Sequence, residues 1–392
     1  MLMDRALSGK FIEMADKFPL IFLAGPRFSG KSSLLKQLFQ KKFEYATLED
    51  KDLQNFANED PAGFVNSFVR SRVIIDDIHR VPALIPFIKE KIDRKDAQRM
   101  FILSGFLDTQ MKEKISQLLS GRALKLSLLP FSLPELSSSD KLPKTADEWM
   151  FRGTYPELIY SNTYPGDFFQ RYVSTLIERD LGAKVKMYEY PKFWRFLSIV
   201  AVNSGSPINF SMLGEEVSID ARTAISWVSI LEEMYILFRV VPHEGDFLKR
   251  YVRTPKLYFY DTGLLCFLLG LKSFENLKFH KMRALVFETA IVSEIMKTNY
   301  HNIGFRPKVY YCRDLDNREK EIDLIEARRD GLIFTDIKNT QTVKKENLRY
   351  LLSIIQQQSG LRIKDIQFIY EGSEDVELEG VRYRNWKSLG RI

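Results

Sequence analysis

The stretch "GPRFSGKSSLL", residues 25–35, follows the apolar run "PLIFLA" and decides how the chain begins to fold. It fits the pattern G-x-x-x-x-G-K-[ST] without a gap, through Gly25, Gly30, Lys31 and Ser32. The glycines let the backbone approach phosphate oxygens and adopt positive φ. Successive N–H groups and the start of the next helix favour an anion. Lys31 is placed to reach β- and γ-phosphates, and the Ser32 hydroxyl to reach Mg²⁺. The expected nucleotide-binding residues are Gly25, Pro26, Arg27, Phe28, Ser29, Gly30, Lys31, Ser32 and Ser33. The expected cofactors are ATP and Mg²⁺. The competing reading, a chance loop before a helix, has no use for the strand-loop-helix context.

Further apolar runs extend the same reading. "VIIDD", residues 73–77, has the continuous apolarity of a buried parallel strand, with acids at its carboxyl end. Ligands of open α/β sheets bind beyond that end. Asp76 suits Mg²⁺ and Asp77 suits orientation of an attacking water, although a strand-end acid also serves as a helix cap. "MFILSG", residues 100–105, reads as a third strand that ends near Ser104, either a γ-phosphate sensor or a turn residue. Arg122 follows a glycine and precedes another apolar strand. It is a candidate for a phosphate contact in its own subunit, a finger in a neighbour's site, or a plain surface arginine. Asp77, Ser104 and Arg122 are thus the candidate catalytic set, with Ser32 and Asp76 the candidate metal ligands.

At 392 residues the chain has room for two or three domains. Its 45% hydrophobic content supports packed cores, and no apolar run is long enough to span a membrane. The amino-terminal segment contains acids and lacks the apolar centre of a signal peptide. Two distant cysteines and four scattered histidines offer neither a disulfide framework nor a zinc cluster. Cytoplasm is the expected location. A net charge of +7, dispersed along the chain, permits nucleic-acid contact without requiring it.

In order, "GPRFSGKS", "VIIDDIHRVPAL", "ILSGF", "LLSGRALKLSLLPFSLPEL" and "GTYPELI" resemble a group of prokaryotic AAA-type P-loop ATPases. "IERDL" at 177–181 and "TPKLYFYDTGLLCFLLG" at 254–270 continue the resemblance along nearly the whole chain. It implies an α/β fold in three parts: a P-loop ATPase domain over 1–145, a mainly helical winged-helix-like region over 146–280, and a restriction-endonuclease-like α/β domain over 281–392. Two positions depart from the pattern. Asp77 stands where the group carries glutamate, one methylene longer by about 1.5 Å, and Phe106 stands where a small residue is usual.

The middle of the chain says less. "DKLPKTADEWM", residues 140–150, is polar and reads as a linker. Glu178, Arg179 and Asp180 fit a subunit contact or a solvated helix face. Residues 209–237 have helix-turn-helix spacing, with Asp220 as a helix cap. Only Arg222 supplies a strong base early in its second helix, so base reading is disfavoured. "FLKRYVRTPKLYFYD", residues 247–261, reads as a basic wing or, from its alternating aromatics, as a strand.

The last third contains "YYCRDLDNREKEIDLIEARRDGLIFTDIKNT", residues 310–340. A two-residue Asp330-Gly331 loop would set Arg329 opposite Leu332, Asp323 opposite Lys338 and Ile325 opposite Asp336. Alternation then puts Asp323, Asp336 and Lys338 on one face and Ile322, Leu324, Ile333 and Ile337 on the other. The trio fits the nuclease pattern of carboxylates for Mg²⁺ with a lysine for developing charge, or a cross-strand salt bridge. The resemblance adds Glu288, from "RALVFETAIVSEIM", as the upstream acid of a nuclease-like site. An ATP-hydrolysing protein that acts on or is regulated by nucleic acid follows. The alternatives are an ATP-controlled Mg²⁺-dependent DNA nuclease and a nucleotide-gated switch with negligible turnover. DNA and further copies of the chain are the candidate macromolecular partners.

Overall fold

A computed structural model describes residues 3–94, 100–106, 122–181, 185–243, 251–304, 306–316, 321–342, 352 and 362–391. It forms two compact units. The first comprises Met1–Pro130, Glu233–Tyr235 and Asn299–Arg306. The second comprises Phe131–Glu232, Ile236–Thr298 and Pro307–Ile392, so residues expected in separate middle and carboxyl-terminal domains pack together.

The first unit is built on strands β1 (Leu20–Ala24), β2 (Glu44–Thr47), β3 (Arg72–Asp76), β4 (Met100–Gly105) and β5 (Ala123–Ser127). They lie in the order β2-β3-β4-β1-β5, and every pairing is parallel. Such a sheet is covered on both faces, which explains why β1 and β4 are buried at every residue. On one face Ile21, Leu23, Ile74, Ile102 and Leu126 pack with Leu34, Leu35 and Phe39 of the helix Lys31–Phe39. The register sets Ala24 beside Gly105 and Ser127, and Thr47 beside Asp76. One edge of the sheet therefore gathers the carboxyl ends of all five strands, and the loop from Gly25 to Gly30 leaves from it.

The second unit contains an eight-stranded mixed sheet, ordered β12-β13-β11-β10-β9-β8-β6-β7. Its strands are β6 (Leu237–Pro242), β7 (Lys256–Phe259), β8 (Val309–Arg313), β9 (Glu321–Arg328), β10 (Gly331–Lys338), β11 (Ile363–Tyr370), β12 (Val376–Leu378) and β13 (Val381–Asn385). The helices Phe210–Glu215 and Ala221–Glu233 precede it, with Asp220 Oδ1 accepting from Thr223 N at 2.7 Å as the expected cap. Trp227 is core, as its apolar neighbours imply.

Three expectations need correction. Of the two readings of residues 247–261, the strand holds at β7 and the basic wing does not: the β6–β7 hairpin extends the large sheet, through β6 beside β8, and β7 is buried throughout. Residues 244–250 of that segment lie outside the described residues. The stretch read as a linker contains the helix Ala146–Arg152, whose Trp149 stacks on Trp386 at 4.9 Å between centroids. Polar positions on its outer side had hidden an apolar inner face.

The third correction is the hairpin register. Arg328 pairs with Gly331 and Ile325 with Phe334, so the loop is Arg329-Asp330. Gly331 serves close approach: a Cβ there would lie 2.5 Å from the Arg362 carbonyl oxygen. Continuing the ladder puts Asp323 opposite Asp336. The slip is two residues, and a period of two leaves each side chain on its expected face.

Candidate functional site

The first cluster grows from the carboxyl edge of the five-stranded sheet. Gly25 has φ 150° and Gly30 has φ 94°. A Cβ on Gly25 would lie 2.1 Å from the Leu128 carbonyl oxygen, so no larger residue fits that turn. Phe28, at φ 59°, is half exposed at the loop's tip. Lys31 folds back over the loop, donating to the carbonyls of Gly25 at 3.0 Å and Pro26 at 2.7 Å. Arg5 braces the loop from within, donating to the Ser29 carbonyl at 2.9 Å and the Leu129 carbonyl at 2.6 Å. The Ser29 hydroxyl is buried without a hydrogen-bond partner among the described residues. Ser32 and Ser33 open the helix with exposed side chains.

Asp76 ends β3 and is buried. Its Oδ1 accepts from the Ser104 hydroxyl and from Asp77 N at 3.2 Å. Its Oδ2 accepts from the Tyr45 hydroxyl at 2.6 Å. Ser104, at the end of β4, is thus bound to Asp76 rather than acting only as a turn residue. Asp77 follows at φ 58°, a left-handed conformation that Asp tolerates better than most side chains. Burial, then the charge of Asp76, raises its carboxyl above the ordinary range, while Lys31, Arg27 and Arg80 oppose that rise. Its neighbour His79 stacks on Phe106 at 3.9 Å between centroids. That contact gives Phe106 a packing role just past the end of β4.

Arg122 stands apart. It precedes β5, whose first residue pairs with Leu20 at the amino edge of the sheet, and it forms a salt bridge with Asp93. A five-residue strand separates the two edges by about 16 Å. The guanidinium therefore cannot reach a phosphate in the P-loop of its own chain. Residues 107–121 lie outside the described residues.

The second cluster lies on the large sheet. Asp323 and Asp336 share a side-chain hydrogen bond, and Asp323 Oδ2 also accepts from Ile337 N at 2.7 Å. Lys338 Nζ lies 2.8 Å from Asp336 Oδ1 and 3.5 Å from Asp323 Oδ2. Three groups not anticipated from sequence, Lys256, Tyr258 and Glu321, complete it. Lys256 Nζ, on a side chain only 2% exposed, donates to Glu288 Oε1 at 3.1 Å and pairs with Glu321. The Tyr258 hydroxyl donates to Glu288 Oε1 at 2.6 Å. Glu288 comes from the helix Arg283–Ile303 and joins the strands through Lys256.

Electrostatics divides the carboxylates. Burial, then the neighbouring Asp323 charge, pushes Asp336 up to about 8, despite Lys338. For Asp323, burial is outweighed by Lys338, Lys256 and hydrogen bonds from Asp336 and the Ile337 amide, which hold it below the usual carboxylate range. Burial, then Asp323 and Glu288, raises Glu321 against the pull of Lys256. Among the described residues, no group of three or more His, Cys, Asp or Glu side chains is arranged to hold a metal ion. Two ammonium groups, of Lys256 and Lys338, stand among the carboxylates, and Asp323 and Asp336 share a hydrogen bond.

Tyr45, Lys256, Tyr258 and Glu321 escaped the sequence reading. Lys256 and Tyr258 alternate with buried Leu257 and Phe259, and a lysine inside such a strand is itself a signal, since buried lysines need partners. Glu321 has the parity of Asp323. Tyr45 reaches Asp76 across neighbouring strands and carried no local signal.

Residues 17–137 match the model of an AAA domain. Residues 143–275 and 284–388 match two domains of unknown function, DUF8612 and DUF4143. The chain is similar to the uncharacterized proteins Mb2031c of Mycobacterium bovis and Rv2008c of Mycobacterium tuberculosis. Each is 26% identical over 258 residues, covering 64% of this chain and 56% of the relative. Among solved structures, the Walker-type ATPase of Pyrococcus abyssi aligns with 14% identity and TM-score 0.43, over 68% of this chain and 96% of that one. A RuvB variant of Thermotoga maritima aligns with 18% identity and TM-score 0.34, over 61% and 90%. The match of residues 17–137 to an AAA domain supports an ATPase-type function. No helix among the described residues is long and apolar enough to cross a membrane.

Proposed function

We propose that this chain binds MgATP in its first unit, hydrolyses it slowly, and uses the nucleotide to govern nucleic-acid contact by its second unit. The observation that carries the reading is the convergence of Lys31, Ser32, Asp76 and Ser104 on one edge of a β2-β3-β4-β1-β5 parallel sheet.

The donor set fits the implied metal. The Ser32 hydroxyl and the Asp76 carboxylate are hard oxygen donors of the kind Mg²⁺ takes. Bound there with nucleotide, the ion would neutralise phosphate charge. The loop's backbone amides and Lys31 bind and orient the phosphates. Ser104 holds Asp76 in place. Asp77 is the acid placed to orient a water, and its short, buried carboxyl in a left-handed backbone favours low turnover. Arg122 would act only toward a neighbouring chain. Mixing Arg122→Ala with Lys31→Ala chains should then recover activity, and no recovery in demonstrated mixed oligomers would remove it from the site.

The direct test is phosphate release with and without DNA. MgATP-dependent release that disappears in Asp76→Asn and changes with DNA supports the reading. Release insensitive to Asp76→Asn removes that residue from the metal site. Binding without turnover favours the switch. Asp323, Asp336 and Lys338 support the nuclease alternative by their shared face, whereas the lysine-filled cluster weighs against it. Mg²⁺- or Mn²⁺-dependent DNA cleavage lost in Asp336→Ala, with ATP binding intact, would restore it.

A further inference from the structure

Asp76, at the end of β3, is touched by a side chain from the neighbouring strand β2. The Tyr45 hydroxyl donates to Asp76 Oδ2 at 2.6 Å. A phenol has one proton to give. Lys36, from the same helix as Ser32, places Nζ 4.9 Å from the centre of the Tyr45 ring. The ring is therefore held from the loop side while its hydroxyl sits on a candidate metal ligand. Meanwhile Asp76 Oδ1 is taken by Ser104 and the Asp77 amide. Oδ2 is the oxygen through which Asp76 would serve a metal or a metal-bound water, and Tyr45 occupies it.

We infer that Tyr45 is a positioning residue that sets how readily a divalent cation enters the nucleotide site. Its hydroxyl competes with the cation and its waters for Asp76 Oδ2. Metal loading requires that hydroxyl to give up this bond. The site consequently admits nucleotide at lower metal concentration when the hydroxyl is removed than when it is present. The inference rests on the P-loop reading above.

Tyr45→Phe removes the hydroxyl and keeps the ring against Lys36. Titration of Mn²⁺ into the full chain with a non-hydrolysable ATP analogue, followed by electron paramagnetic resonance, reads the metal directly. A net hydrogen bond of about 1 kcal/mol corresponds to a roughly fivefold change. The Mn²⁺ half-saturation point should fall by about that factor, while affinity for the analogue in EDTA stays unchanged. An unchanged or higher half-saturation point overturns the inference. Fluorotyrosine placed at position 45 in otherwise wild-type protein gives a second reading that does not depend on the variant's stability. Its ¹⁹F resonance should move when Mg²⁺ joins the bound analogue and stay still with analogue alone; no metal-dependent movement also overturns it. Lys31→Ala separates the two levels. If wild type binds no analogue, or Lys31→Ala binds as well as wild type, the P-loop reading itself fails. If only the Tyr45 responses are missing, the P-loop reading stands without this residue.

Discussion

Lys256 and Glu288 are joined at 3.1 Å by a buried ion pair, and the same ammonium pairs with Glu321. The cluster on the large sheet thus contains its own cation. Breaking a buried pair by removing one member leaves the other's charge uncompensated and costs about 3–5 kcal/mol. Lys256→Met should lower the unfolding temperature accordingly, and millimolar Mn²⁺ should partly restore it by drawing a divalent ion to the released carboxylates. The comparison belongs in an Asp76→Asn background, which silences the other candidate metal site. Mn²⁺ stabilising the Lys256-containing protein through Asp323 would show that the lysine does not fill the metal's place.

Asp336 makes stability depend on pH. Its carboxyl titrates at about 8 in the folded chain, well above its ordinary value, through burial and the Asp323 charge. The folded state therefore binds more protons than the unfolded state between the two values. Its stabilising contribution is complete in acid, fades as pH rises through that window and is gone above about 8. Asp336→Asn supplies a permanent amide donor to Asp323 and has no proton to lose. The variant should match wild type near pH 5 and melt about 1–3 °C higher near pH 9. A melting difference that does not widen with pH would contradict the shared proton.

Asp77 combines a left-handed backbone with a buried carboxyl. Asp77→Asn keeps a residue suited to that backbone and removes the charge. ATP turnover should fall about 10–100-fold if the carboxylate orients or deprotonates water, with analogue affinity unchanged. Asp77→Glu restores the longer acid of the resembling ATPases, against a backbone strain of about 1 kcal/mol; turnover should be preserved or raised. Phosphate release and analogue binding, measured together, check both. Loss of binding in Asp77→Asn would assign the residue to phosphate or fold support.

The apolar runs around Phe22, Ile75 and Ile102 made the central strands readable, because a parallel sheet covered on both faces needs continuous apolarity. The glycines and Lys31 made the loop readable for a similar reason: few residues tolerate its close backbone contacts. The shared face of Asp323 and Asp336 was readable from alternation even though the hairpin slipped by two residues; Gly331 had looked like a turn residue but is required by the nearby Arg362 carbonyl. What escaped depends on contacts between distant segments. Tyr45 on Asp76, Lys256 on Glu288 and Glu321, and Arg122 on Asp93 join different elements, and no local pattern records which side chains will meet.

The central claim is that the loop from Gly25 to Ser33 binds MgATP through Lys31. Isothermal titration of MgATP into the full chain and into a folded Lys31→Ala variant tests it most directly. The account predicts one nucleotide per wild-type chain and at least about 100-fold weaker binding in the variant, a loss of about 2.7 kcal/mol. Equal affinity in the two proteins would contradict it.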